Sequence, residues 1–509
     1  MKPRTEQLLR VLHGNAAMLR MQNPPGLDAT ALAGMEAALA ELSLRSDTEY
    51  FRRRYHDALA LIRQGLELLA GPQAALSLAE AGNAASAFLS THPPALPPGA
   101  PAAEYCARAA ELLTTILTAL ATAGRDAGEA YRDYAERVID WEVDLYRRRL
   151  ENPAAETNPG PLAIDPAALQ RYLSEKLPAM APLTVRRLEK LGGGFSKITL
   201  RAELEDKAGT PCAVVLRAEA STGPLLPHTN SLADEYSAIR LAHDAGIQVP
   251  EPLCLELDTA ALGARFLVSE AAAGRTFGSA LGGQQAPSRT CLRDIVSVLA
   301  RIHAISLRAD DPRLCGSRFA EALTPPGLPA ATARNVARWA RIAREAEIAD
   351  SPLIARSLAW LARNVPESAE PAALVHCDYG LHNLLLTDEG VAAVLDWEVA
   401  QIGDPALDII SLHTTIGGFI GLDQLLQWYE EAGGRPITPF RLHYADVFYC
   451  MLATVVCNAA LKQFEKPGPP DENLLTLGLR FAHHNASRIN AAIRGAEAAL
   501  LRQLPGTPP

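Results

Sequence analysis

The stretch Leu374-Val-His-Cys-Asp-Tyr-Gly-Leu-His-Asn-Leu-Leu-Leu386 carries an H-x-D-x-x-x-x-N pattern formed by His376, Asp378 and Asn383. Thirteen residues beyond the asparagine stands Asp396, in Val394-Leu-Asp-Trp-Glu-Val-Ala-Gln-Ile-Gly-Asp-Pro-Ala-Leu-Asp408. Phosphoryl transfer from a nucleoside triphosphate needs a carboxylate that orients the attacking hydroxyl and takes its proton. It also needs oxygen ligands for Mg²⁺, which offsets the phosphate charge. Asp378 suits the base, and Asn383 and Asp396 suit the metal, because a loop asparagine and an aspartate on the next hairpin can converge on one side of a cleft.

The segment resembles the aminoglycoside phosphotransferase and choline kinase-like family, distant relatives of protein kinases. Its wording is nearest the branch containing the kinase domains of acyl-CoA dehydrogenase family members 10 and 11. The resemblance covers about 165–509. It implies that Asp378 is the catalytic aspartate, that Asn383 and Asp396 bind Mg²⁺, and that Asp408 braces the catalytic loop from within the fold. Asp404, followed by Pro405, reads as the start of a helix and so as a positioning residue. His376 reads as a satisfied structural histidine, and Cys377 stands where the family commonly has glycine. Glu398 would share a strand face with Asp396, which leaves a metal contact or a contact supporting the metal ligands on one side and simple exposure on the other equally open.

On the nucleotide side, Gly192, Gly193 and Gly194 lie between two expected strands, where a glycine turn lets backbone N–H groups approach phosphate oxygens. A plain hairpin turn is the alternative. The Walker A pattern and the dinucleotide G-x-G-x-x-G are both absent at this turn. Against the family's usual G-G-x-S-N, Ser196 fits while Lys197 replaces the asparagine, either to meet phosphate or to point outward. The third strand of a kinase-like sheet normally offers a lysine to the phosphates. Here the strand Cys212-Ala-Val-Val-Leu-Arg217 ends in arginine, which keeps the charge but changes the geometry. Glu235 is the candidate partner of Arg217, with Asp234 as the competing choice. The backbone around Glu270 and Ala271 resembles the segment joining the two lobes, where it would bond adenine.

These residues need elements to hold them. Residues 5 to 150 read as amphipathic helices near 4–21, 28–43, 48–70, 74–90, 103–123 and 125–150, broken by Pro and Gly clusters. The Pro- and Gly-containing run 152–164 reads as a linker. Asp165-Pro166 opens a helix to about Leu177. Then β-rich runs at 184–191, 197–204 and 212–217 predict a small antiparallel sheet. A helix at 231–245 and strands near 253–258 and 264–269 follow. After Phe277 the pattern is helical except for strands at 384–386 and 392–395. The expected fold is α+β and bilobal, protein-kinase-like, with a small sheet lobe over 165–270, a large helical lobe over 271–509, and an all-helical domain over 1–151 in front.

Of 509 residues, 48 are basic and 58 acidic, for a net charge of −10, which gives no general pull toward nucleic acid. The eight cysteines are scattered without a C-x-x-C pair, and the first residues lack a signal peptide's apolar core, so a cytoplasmic setting is expected. The apolar stretch Val447 to Leu461 is shorter than the ~20 residues of a membrane span and reads as a buried helix.

The expected activity is transfer of the γ-phosphate of ATP, with Mg²⁺, to a hydroxyl of a small molecule. An acidic acceptor pocket would suit an aminoglycoside, but 409–464 is dominated by apolar residues such as Phe419, Trp428, Tyr429, Phe448, Tyr449 and Met451. A neutral or acyl-type alcohol is therefore the first expectation, and the resemblance implies a hydroxyacyl thioester. An antibiotic kinase and a non-catalytic nucleotide-binding scaffold stand as alternatives. The helical domain either covers the cleft or mediates a homodimer.

Overall fold

A computed structural model describes residues 48–70, 76–96, 100–123, 128–149, 164–191, 197–219, 231–278, 285–314, 317–324, 327–464, 474, 477–478, 482 and 485–503. The helices expected near 4–21 and 28–43, nearly all of the 152–164 linker, and Gly192, Gly193, Gly194 and Ser196 lie outside the described residues.

Among the described residues four helices come first: α1 (Thr48–Leu69), α2 (Leu76–Thr91), α3 (Ala102–Thr122) and α4 (Glu129–Arg149). Their apolar stripes meet in a core that includes Leu61, Ile62, Leu113, Ile116, Tyr134 and Val138. Gly65 sits where α1 crosses its neighbours. A Cβ there would lie 2.5 Å from the Tyr134 hydroxyl and 2.8 Å from an Ile116 methyl, so only glycine permits this approach.

Next is α5 (Pro166–Lys176), capped by Asp165, whose carboxylate accepts from the N–H groups of Ala167 and Ala168 at 3.1 and 3.2 Å. The small-lobe sheet comprises β1 (Thr184–Leu191), β2 (Lys197–Glu205) and β3 (Pro211–Glu219), followed by α6 (Leu232–Asp244), β4 (Pro252–Glu256) and β5 (Phe266–Glu270). The order is β1-β2-β3-β5-β4 and every pairing is antiparallel. Ile198, Leu200, Ala202 and Leu204 alternate inward on β2, as do Val214, Leu216 and Ala218 on β3. They share a core with Leu169 and Leu173 of α5. The opposite parity carries Lys197 and Arg217. Lys197 pairs with Glu219 and Thr199 with Arg217, so the two cations are diagonal neighbours on the face away from α5.

The large lobe holds α7 (Arg289–His303), α8 (Arg318–Ala322), α9 (Leu328–Glu345), α10 (Pro352–Arg363), α11 (Ala406–Ile416), α12 (Leu422–Glu431), α13 (Pro439–Phe464) and α14 (Ile489–Gln503). Between α10 and α11 run four short strands, β6 (Ala373–Val375), β7 (Leu384–Leu386), β8 (Val391–Val394) and β9 (Gln401–Gly403). The sequence pattern foresaw only β7 and β8. β6 and β9 are three residues each, too short to show a period, and they exist because they pair with each other, Leu374 opposite Ile402. The result is an α+β, bilobal, kinase-like architecture with a helical region in front.

That helical region does not stand apart. Ile139 and Tyr146 of α4 belong to the apolar cluster of the large lobe. The Glu142 carboxylate accepts from the Leu353 N–H at 2.8 Å and the Ser351 hydroxyl at 2.7 Å, and so caps α10 from across the interface. Among the described residues, α13 is the one helix long and apolar enough to cross a membrane, and 78% of its most apolar window is buried inside the lobe.

Candidate active site

The segment after β6 is pinned from beneath. Asp408, fully buried on α11, accepts from the N–H groups of His376 (2.8 Å) and Cys377 (2.6 Å) and bonds His303 Nε2 at 3.0 Å. His303 Nδ1 in turn meets the Tyr429 hydroxyl at 2.8 Å. Cys377 takes a left-handed φ of 66°, the conformation for which glycine is the usual residue, and the two bonds to Asp408 flank it.

His376 has both ring nitrogens engaged. Nδ1 accepts from the Asp378 N–H at 3.3 Å, so Nε2 must carry the hydrogen donated to the Leu395 carbonyl at 2.8 Å. Burial pushes this imidazole down, which keeps it neutral. The same Leu395 donates its N–H to the Asn383 carbonyl at 2.8 Å. These two bonds stitch the loop after β6 to the turn after β8 and bring Asp378, Asn383 and Asp396 into one neighbourhood.

Within it, Asn383 Nδ2 donates to Asp378 Oδ2 at 2.8 Å and to the Asp378 carbonyl at 3.0 Å. The amide nitrogen is thus spent on orienting Asp378, and the amide oxygen is the atom left to face a cation. The Asp378 side chain is 37% exposed, so its carboxylate is accessible from outside the fold. His382, which the sequence reading did not single out, lies 3.3 Å from Asp378 Oδ2 through Nε2. Burial alone would lower it, but the adjacent Asp378 carboxylate holds it above the ordinary histidine value. Its signal was the four-residue spacing from Asp378.

Asp396 is not on a strand: β8 ends at Val394, and Asp396 has a left-handed φ of 62°. The shared-face expectation for Glu398 therefore fails. Glu398 instead accepts from Lys197 Nζ at 2.8 Å, and Lys197 also reaches Glu235 at 3.0 Å. Lys197 is only 4% exposed, so the outward-pointing alternative is overturned. Arg217 sends Nε to Glu235 at 2.8 Å and Nη2 to Asp396 Oδ1 at 2.6 Å. Of the two rival carboxylates, Glu235 faces Arg217. Asp234 accepts from Arg318 at 2.7 Å and, with Ser231, caps α6.

Three carboxylates (Glu235, Asp396, Glu398) thus surround two cations (Arg217, Lys197), one negative charge in excess. Burial pushes the Asp396 carboxyl up to about 7, against the pull of Arg217 and with help from Glu398 and Glu235. A further positive charge would suit this group. Among the described residues no three His, Cys, Asp or Glu form a self-sufficient metal cage. Mg²⁺ usually takes one or two protein groups and completes its shell with phosphate oxygens and water, so the amide oxygen of Asn383 and the second oxygen of Asp396 fit such an ion.

Asp404 accepts from the Ala406 N–H at 2.9 Å, and Arg441 grips its carboxylate with two bonds of 2.9 and 2.8 Å. Sequence reading foresaw the helix start but not Arg441, 37 residues away. At the junction of the lobes, the N–H groups of Glu270 and Ala271 are already donated to the carbonyls of Glu251 (2.9 Å) and Ala213 (3.0 Å). The expectation for these two residues therefore narrows to their carbonyl oxygens. Of the aromatic and apolar residues expected near an acceptor, Trp428, Tyr429, Phe448 and Met451 are buried core. Phe419 is exposed. Tyr449 lies near enough to Asp378 that the carboxylate adds to the upward push of burial on its phenol.

The family model described as "Phosphotransferase enzyme family" matches residues 187–443. The chain is 31% identical over 250 residues to Acyl-CoA dehydrogenase family member 11 of Gallus gallus, a match covering 48% of this chain and 30% of that protein. It is 30% identical over 252 residues to Acyl-CoA dehydrogenase family member 10 of Mus musculus, covering 49% of this chain and 22% of that protein. These matches span less than a third of the curated relatives' length. Among solved structures, a macrolide 2'-phosphotransferase of Brachybacterium faecium is similar at a TM-score of 0.37 and 21% identity, over 67% of this chain and 99% of that one.

Proposed function

The chain belongs to the phosphotransferase enzyme family, and from that premise we propose that it is an ATP- and Mg²⁺-dependent kinase of a small-molecule hydroxyl. The observation that carries this reading is the bond from Asn383 Nδ2 to Asp378 Oδ2, made while the Leu395 N–H ties Asn383 to the turn bearing Asp396. Asp378, Asn383 and the turn bearing Asp396 are thereby held in fixed relation.

In this reading the Asp378 carboxylate receives the proton of the acceptor hydroxyl, and Asn383 and His382 hold it in place. Asn383 and Asp396 would hold Mg²⁺, which when bound offsets the charge of the phosphates. Arg217 steadies the phosphates from β3, and backbone N–H groups of Gly192, Gly193 and Gly194 are proposed as further phosphate donors. Glu235 keeps the guanidinium of Arg217 aimed into the cleft. His376, Asp404 and Asp408 position the loop and touch no reactant.

For the acceptor we propose an alcohol borne on an acyl thioester. The support is the naming of the curated relatives as acyl-CoA dehydrogenase family members. The aromatic residues lend less, since four of the six apolar candidates are core. The test is incubation of the full chain with ATP and Mg²⁺ against hydroxyacyl-CoA compounds, simple alcohols and aminoglycosides, reading a mass gain of one phosphate. Transfer to an aminoglycoside alone would replace the acyl acceptor. Firm ATP binding without transfer to any acceptor would leave a nucleotide-binding scaffold.

A further inference from the structure

Away from the Asp378 cleft, a cavity of about 230 Å³ opens where the front helices meet the large lobe. α4 contributes Tyr131 and Arg132, α10 contributes Arg356, Trp360 and Arg363, and α14 contributes Glu497. None of the residues assigned to phosphoryl transfer lines it.

Its charge is unbalanced. The guanidinium groups of Arg356 and Arg132 share one lining carboxylate, Glu497, which is 3.5 Å from Arg132 Nη1 and accepts from Trp360 Nε1 at 3.3 Å. Glu136, on the neighbouring turn of α4, is engaged by Arg494 at 2.7 Å. Arg356 is the telling residue. It is only 3% exposed, yet its Nη1 is buried with no hydrogen-bond partner among the described residues. Burial accordingly pushes its guanidinium down, with Tyr131, Glu136 and Glu497 opposing. A buried cation with an unmatched donor costs stability. That cost has a use when an anion from solution completes the bonds, because the guanidinium fork matches the two oxygens of a carboxylate or phosphate.

We propose that this cavity is a binding site for a small organic oxyanion, its charged end held by Arg356 and Arg132 and its apolar body lying along Trp360. The site joins the front helices to the lobe, so its occupant strengthens that junction. It is independent of the nature of the phosphoryl acceptor.

The experiment is calorimetric titration of the full chain with phenyl phosphate, and with phenol as the uncharged control, in the wild type and in Arg356→Met, Arg132→Gln and Asp396→Asn. We expect one phenyl phosphate site whose affinity falls at least about tenfold in Arg356→Met and Arg132→Gln, as loss of a charge-assisted bond requires. Asp396→Asn, which reports on the cleft, keeps that affinity, and phenol does not bind. Without any anion, Arg356→Met should melt at a higher temperature than the wild type, since an unmatched buried charge is gone. Phenyl phosphate should raise the melting temperature of the wild type but not of Arg356→Met. Arg132 is more exposed, with 38% of its side chain accessible, so its variant reads the affinity even if the buried substitution unfolds the chain. Silence at millimolar phenyl phosphate, or binding that survives Arg132→Gln and Arg356→Met, overturns the proposal. So does loss of binding in Asp396→Asn alone.

Discussion

Arg217 Nη2 lies 2.6 Å from Asp396 Oδ1, so the side chain proposed to steady the phosphates is bonded to the one proposed to hold the metal, 179 residues further along. The same guanidinium engages Glu235 through Nε at 2.8 Å. A lysine at this position would offer one nitrogen where Arg217 meets the two carboxylates through two different nitrogens of a planar fork.

Removing the guanidinium should therefore be felt by the fold as well as by the nucleotide. Arg217→Met leaves the buried Glu235 and the partly buried Asp396 short of a partner and is expected to cost on the order of 3 kcal/mol. Denaturant unfolding of the variant against the wild type measures this. A loss below about 0.5 kcal/mol, the range of ordinary surface changes, would contradict a buried role.

Asp378→Asn retains the shape of the side chain but cannot take a proton. Phosphoryl transfer should drop about 10²- to 10⁴-fold, the usual share of a general base. Nucleotide affinity, read separately by titration, should stay within about twofold of the wild type, since the change is confined to the acceptor side.

Asp396 sets a pH dependence with a definite sign. Burial holds its carboxyl at about 7, so below that pH a proton occupies the oxygen a cation needs. Metal binding must expel that proton. Mg²⁺-dependent nucleotide affinity should therefore climb with pH, by up to about tenfold per unit, and level off above about 7. Asp396→Asn should flatten the profile and weaken binding throughout. Titration calorimetry at several pH values gives both curves.

Glu142 closes the N-terminal end of α10 with bonds to the Leu353 N–H and the Ser351 hydroxyl, and it is 7% exposed. Glu142→Ala orphans those donors and should destabilise the protein by about 1–3 kcal/mol. Glu142→Gln, which keeps one acceptor oxygen, should lose less. Thermal melting of the two variants side by side ranks them.

What could be read from the chain alone followed the range of the interactions involved. β1 announces itself by local composition, and the sequence bounds of Thr184–Leu191 match the strand. The Asp165-Pro166 start of α5 is likewise a short-range signal, and its cap is present. Lys197 could not be oriented from its neighbours, because its partners Glu235 and Glu398 come from α6 and from 201 residues downstream. Arg441 was invisible for the same reason, its bond to Asp404 being a matter of packing rather than spacing. Glu398 was misplaced because a period-two rule was carried past the end of β8, into a turn where Asp396 has a positive φ. The arginine-lined cavity draws on α4, α10 and α14, three helices whose juxtaposition no local pattern encodes.

The apolar cluster shared by Ile139, Tyr146 and the large lobe bears on how the molecule would come apart. Severing the backbone between Arg149 and Ile164 should leave a nicked protein whose two pieces stay together through their common interior. On heating, the front helices and the large lobe should melt in a single transition rather than shed one piece first.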